Sequence, residues 1–275
     1  MPVQWHPIFA QVLRPLVQEH YDVRTNMPVG DAPREADIVL LQRTGRRRPP
    51  FRGLWRHLTR WNVVEFKGRS VSARVDDLEL LVELGLGIHR RLNEEERREG
   101  RPPVPAAEAS LWYVANELGR RFLRDATQVL GPLELVTEGV WRCRVLRRLI
   151  FLVSSVAAPV ERDTTPIHLL ARESHETERA LARLLVDEPG LWELYGPLLN
   201  MLHPNIWKEA KRMARSKGKK DDLDLRPWIE TVGVEGVIKA VGIKEIIKAV
   251  GIEELLANLT PEQLRELKER AARRG

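Results

Sequence analysis

Apolar positions change their spacing several times along this chain, and each change predicts a different element. Ile8, Phe9, Val12, Leu13, Leu16 and Val17 recur at helical spacing behind Pro7, which predicts an amphipathic helix bent at Pro15. Residues 21–29, 35–41 and 61–68 are short runs rich in β-branched and aromatic side chains, bounded by Pro and Gly, and they predict strands with a turn at 30–33. Helical spacing returns over 72–92 through Leu78, Leu81, Val82 and Ile88, with Gly85 and Gly87 weakening its middle. The stretch 93–105 is charged and then Pro-rich, which predicts an exposed loop.

Further on, 111–114 predicts a strand, 117–126 a helix, and 133–146 a hairpin turning at Gly139. In the second arm of that hairpin Trp141, Cys143 and Val145 alternate with Arg142 and Arg144, the pattern of a half-buried strand. The continuous apolar run 149–156 predicts a strand buried on both faces. Past Pro159 the spacing is helical throughout, over 168–186, 191–202 and 205–215, and 216–224 reads as a charged linker. Val232-Gly233-Val234, Val241-Gly242-Ile243 and Val250-Gly251-Ile252 then repeat every nine residues. Nine residues at ~100° each turn successive copies to opposite sides of one continuous helix, so short helical units broken at each glycine are expected instead. A last helix starts at Thr260-Pro261.

Composition narrows the class. The 275 residues are 43% hydrophobic and 31% charged, with no apolar run near the ~20 residues of a membrane span, so no membrane partner is expected. Cys143 is the only cysteine, which rules out an internal disulfide and suits a cytoplasmic setting. The formal net charge of +6 points to a polyanionic partner. Its sharpest concentration is 43–60, where Arg43, Arg46, Arg47, Arg48, Arg52, Arg56 and Arg60 stand without an acid and are interleaved with Phe51 and Trp55, with Trp61 just beyond. Guanidinium groups pair with phosphates and aromatic faces stack on bases, so this block is a candidate nucleic-acid-binding surface. The competing reading is a solvated basic loop whose tryptophans return to the core.

Two acids stand where buried strands should have none: Asp37 in the run 35–41, and Glu65 in the run 61–68. A carboxylate inside an apolar run is expensive to desolvate unless a positive charge compensates it, and a hard divalent cation is one such compensation. Alternation along a strand puts Lys67 on the same side as Glu65. His168, Glu173, His175 and Glu176 lack the His-Glu-x-x-His spacing of a zinc site and read as solvated helix residues.

An Asp at one strand followed by Glu-x-Lys on the next, after a helix and a strand and before a helix, resembles the active-site signature of the PD-(D/E)XK nuclease superfamily. Pro33 to Asp37 and Val64-Glu65-Phe66-Lys67 are similar to the corresponding stretches of bacterial recombination-promoting nucleases and transposase-like proteins. The resemblance implies a restriction-endonuclease-like α/β fold, with a mixed sheet flanked by helices over 1–160. A helical extension over 161–226 and the helical repeats over 227–275 follow. It implies a DNA endonuclease in which Asp37, Glu65 and the Phe66 carbonyl hold Mg2+ or Mn2+ while Lys67 orients or deprotonates the attacking water. DNA is then the expected partner, and a homo-oligomer is left open. Two other readings stay beside it: a nucleic-acid-binding module without catalysis, and a helical interaction scaffold in which Asp37, Glu65 and Lys67 form a structural ion network.

Overall fold

The computed structural model describes residues 5–25, 28–29, 34–35, 39–45, 49–68 and 71–219. Asp37, Arg46, Arg47, Arg48 and the nonapeptide repeats lie outside these residues. The chain divides into two units, Gln4–Leu184 and a second beginning at Leu185.

In the first unit, helix α1 (Trp5–Val17) contains Pro15 and buries Phe9, Val12, Leu13 and Val17. Seven strands make one sheet in the order β1 (Tyr21–Thr25), β4 (Val39–Arg43), β5 (Trp61–Phe66), β6 (Ala109–Ala115), β9 (Arg148–Ser154), β8 (Val140–Val145) and β7 (Glu134–Thr137). A separate two-residue pair joins β2 (Pro28–Val29) to β3 (Arg34–Glu35). β1 pairs with β4 and β4 with β5 antiparallel, whereas β5, β6 and β9 run parallel. The parallel step from β5 to β6 requires a crossover, and helix α2 (Asp76–Arg98) supplies it. Helix α3 (Arg120–Leu130) leads into the β7–β8 hairpin.

Alternation sorts the side chains by face. Leu40, Trp61, Val63, Leu111, Tyr113, Ile150 and Leu152 join Leu78, Leu81 and Ile88 of α2 in one core. On the other face Phe66 stacks on Phe9 of α1 at 4.6 Å, and Trp112 stacks on Phe151 at 4.2 Å. A Cβ added at Gly85 would come within 2.4 Å of a Leu111 methyl, so the glycine lets α2 lie close against β6.

Two expectations from the sequence need correction. Helix α2 runs six residues past Leu92 through the stretch expected to be loop. Glu96 is buried in a bidentate pair with Arg101, and Asn93 accepts the Val104 amide at 2.6 Å, so charged residues complete the helix by folding the Pro-rich segment back on it. The helix expected over 168–186 is two, α4 (Thr165–Leu170) and α5 (His175–Asp187). Between them the Glu173 carboxylate sits 2.8 Å from His168 Nδ1, with both side chains fully buried, so these two are a core pair and not solvated helix residues.

In the second unit α6 (Leu191–Leu202) and α7 (Pro204–Ser216) pack with Trp192 stacked on Trp207 at 5.4 Å. No helix among the described residues is long and apolar enough to cross a membrane.

Candidate active site

Strand β5 ends at Phe66, but the Lys67 amide still donates to the Val114 carbonyl at 2.8 Å, so the parallel register continues one residue further. Glu65 and Lys67 therefore share the face of Trp61 and Val63, beneath the start of α2. There they meet an acid from that helix. Lys67 Nζ lies 2.5 Å from Glu65 Oε1 and 3.3 Å from Asp77 Oδ1. The Tyr113 hydroxyl donates to Asp77 Oδ2 at 3.0 Å and accepts the Arg74 amide at 3.3 Å.

The side chains of Glu65, Asp77 and Lys67 are only 7%, 18% and 19% exposed, so their charges interact in a medium well below the polarity of water. Burial works against the Lys67 charge, but the hydrogen bond and charge of Glu65, followed by those of Asp77, outweigh it and raise the ammonium above the ordinary lysine range. Lys67 therefore stays protonated at neutral pH. It donates hydrogen bonds and offsets negative charge, but it has no lone pair with which to take a proton from water. Burial first, and the Asp77 charge second, push the Tyr113 phenol upward, so it remains a donor.

β5, β6 and β9 all end at this side of the sheet, the edge where open parallel sheets form ligand crevices. A cleft of about 620 Å3 opens there between Ser72, Ala73, Asn116, Phe122 and Arg172. Phe122 of its lining stacks on Tyr113 at 5.8 Å, but Glu65, Lys67 and Asp77 do not line the cleft.

The antiparallel pairing of β4 with β5 makes the strand nearest Asp37 a direct neighbour of the strand carrying Glu65. In that register Val39 faces Val64 and Leu40 faces Val63, so even positions of β4 share Glu65's face. Among the described residues no group of three or more His, Cys, Asp or Glu is placed to hold a metal ion. The donors that are present, the Glu65 and Asp77 carboxylates, are hard oxygens that here hold the Lys67 ammonium.

The arginine block lies elsewhere. Arg43 closes β4 and Arg60 precedes β5, and the Arg43 amide donates to the Arg60 carbonyl at 2.8 Å. Five residues of strand, ~17 Å, separate Arg60 from Glu65. The described arginines therefore flank the opposite end of β5 and not the acid cluster. Arg52 and Arg56 are exposed. Trp55 and Trp61 are not available to stack on bases: they are 1% and 3% exposed, and Trp55 packs on Trp112. Only Phe51 of that aromatic set is half-buried, against Tyr21 and His20. The ends of the segment are pinned by a polar network in which Asn62 accepts from the Thr59 amide and from Ser110, each at 2.7 Å.

Sequence reasoning missed Asp77 as a site residue. Asp76-Asp77 at a helix start is the ordinary complement of the helix dipole, and only the crossover geometry shows that this helix begins over the end of β5. Comparison with family models, with curated proteins and with solved structures finds no match to this chain.

Proposed function

We propose that this protein is a divalent-metal-dependent nuclease hydrolysing DNA phosphodiesters, built on a restriction-endonuclease-like core. The observation that carries this reading is the Glu65-x-Lys67 pair, held under α2 at the carboxyl edge of the parallel strands with Asp77 as its third member. Its neighbourhood follows the order that the resemblance implies: a helix, a strand, the strand nearest Asp37, the adjacent strand with Glu65, then a helix.

In this reading Glu65, Asp37 and the Phe66 carbonyl hold the metal. Mg2+ or Mn2+, when bound, supplies an activated water and a Lewis acid for the departing oxygen. Lys67 donates to the attacking water or to a phosphate oxygen and neutralises charge that builds on the phosphoryl oxygens. Asp77 is a positioning residue that fixes the ammonium from the helix side, and Tyr113 fixes Asp77.

A second reading has one observation in its favour. Lys67 already compensates both carboxylates, as a structural ion network in a non-catalytic DNA-binding module would require. Supercoiled plasmid incubated with the protein in Mg2+ and in EDTA separates the two. Nicking that needs Mg2+ and is lost in Glu65→Gln supports the nuclease, and no nicking in either Mg2+ or Mn2+ overturns it.

A further inference from the structure

Five arginines that are far apart in the chain converge at the other end of the sheet. Arg14 of α1, Arg24 of β1, Arg43 of β4, Arg60 before β5 and Arg101 after α2 line a cleft of about 800 Å3 at the β1 edge. Its lining includes two carboxylates, Asp22 and Glu96, so guanidinium groups outnumber acids there. Asp22 is used by Arg24 at 2.6 Å and Glu96 by Arg101 at 2.7 and 3.0 Å. Arg60 reaches Glu108 at 3.6 Å.

Arg14 and Arg43 have no such partner. Among the described residues no carboxylate lies within ion-pair distance of either, Arg14 donates only to the Val23 carbonyl at 3.2 Å, and the buried Arg43 Nε has no hydrogen-bond acceptor. Gathering like charges destabilises a fold, and an orphaned buried donor costs more again, unless an anion completes the site. A guanidinium is a planar fork that matches the oxygens of phosphate two at a time. Gln18, Gln42 and Thr44 add neutral polar groups beside it, and Tyr21 and Val23 supply the apolar part of the lining.

We infer that this cleft is a phosphate-backbone site for nucleic acid, separate from the acid cluster, with Arg14 and Arg43 as its principal contacts. The choice of nucleic acid as the source of the phosphate rests on the substrate class proposed above. The cleft itself does not depend on Glu65 or Lys67.

The test is fluorescence anisotropy of a labelled 20-base-pair duplex over a range of salt without divalent metal, using the full chain and its Arg14→Gln/Arg43→Gln variant. Each phosphate contact is worth about eightfold in affinity at 0.1 M salt, from a slope of about −0.9 per phosphate. The double variant is therefore expected to bind about sixtyfold more weakly and to lose about 1.8 from the slope. Arg14→Lys/Arg43→Lys keeps the charge and should keep most of the slope, with unfolding midpoints checking that each variant is folded. Should the double variant not fold, Arg43→Gln alone carries the test, with an expected loss of about eightfold in affinity and about 0.9 in slope. An unchanged affinity and slope would overturn the cleft, even where Glu65→Gln has lost cleavage. A weakened double variant beside a Glu65→Gln protein that still cleaves supports the cleft and removes the nuclease reading. Inorganic pyrophosphate that binds the protein more tightly than the duplex, and loses that binding in the double variant, overturns the assignment to nucleic acid.

Discussion

The two ends of strand β5 carry charge in opposite ways. At its carboxyl end Glu65, Lys67 and Asp77 are packed under α2, and each charge has a partner within 3.3 Å. At its amino end Arg43 and Arg60 open onto a cleft in which cations outnumber acids. Buried, mutually compensated charges hold a geometry. Open, uncompensated ones attract a partner. On the function proposed above, positioning and chemistry belong to one end of the strand and affinity to the other, and substitutions at each end should separate the two properties.

The largest effect is expected at the compensated end. Lys67→Met removes a cation shared by two mostly buried carboxylates and should lower unfolding stability by about 3 kcal/mol, measured by urea denaturation at pH 7. The pH dependence has a definite sign. Because the folded state raises the Lys67 pKa, its contribution is complete below the ordinary lysine value of about 10.4 and is lost as pH rises further. Wild-type stability should therefore fall in strongly alkaline buffer by more than that of Lys67→Met.

Next in size is the contact that sets α2 over β6, and so places Asp77. Gly85→Ala improves helix propensity by about 1 kcal/mol, yet its methyl would meet Leu111 at 2.4 Å. A net loss of about 1–2 kcal/mol is expected, with reduced activity because the helix start moves. A gain in stability would mean that the helix is free to shift and that Asp77 is not rigidly held.

How much of this was legible in the sequence follows from what each residue reports locally. Glu65 and Lys67 were visible because a charge in an apolar strand run is costly wherever the strand lies. Asp77 was not, because a helix-start acid looks the same whether it meets solvent or a strand end. Trp55 and Trp61 looked like stacking groups beside arginines, but backbone alternation and the turn Gly53–His57 carry both indoles inward. The strands of the parallel half were legible from their apolar runs, which β5 breaks at Asn62 and Glu65. The arginine cleft was not, since Arg14, Arg24 and Arg101 reach it from three separate elements.

A smaller effect tests the α2 core from a different side. His89 Nε2 lies 2.8 Å from the Val104 carbonyl and Nδ1 lies 2.7 Å from a nitrogen of Arg148, so the ring fits as a neutral donor and acceptor. Burial first, opposed by the Val104 bond and joined by the Arg148 charge, lowers its pKa. A histidine with a depressed folded pKa stabilises fully above its ordinary value of about 6.5 and loses that contribution as pH falls below it. Urea denaturation at pH 7.5 and pH 5.5 should show this loss, and His89→Gln should reduce it.

The smallest effect is expected from Arg52 and Arg56, which are exposed and outside the cleft. Arg52→Ala/Arg56→Ala should change stability by less than 0.5 kcal/mol and duplex affinity by less than about threefold, by the same anisotropy titration. A larger loss would move the binding surface from the cleft to the exposed turn.

The most direct test of the account is a single-turnover cleavage assay on a labelled duplex in Mg2+, run beside binding without metal, for the wild-type chain and for Glu65→Gln. The substitution keeps the size of the side chain and removes its charge. The account predicts that Glu65→Gln loses at least a thousandfold in cleavage rate while its duplex affinity stays within about twofold of wild type, because the arginine end supplies the binding. Equal cleavage by the two proteins, or loss of binding together with cleavage in Glu65→Gln, would contradict it.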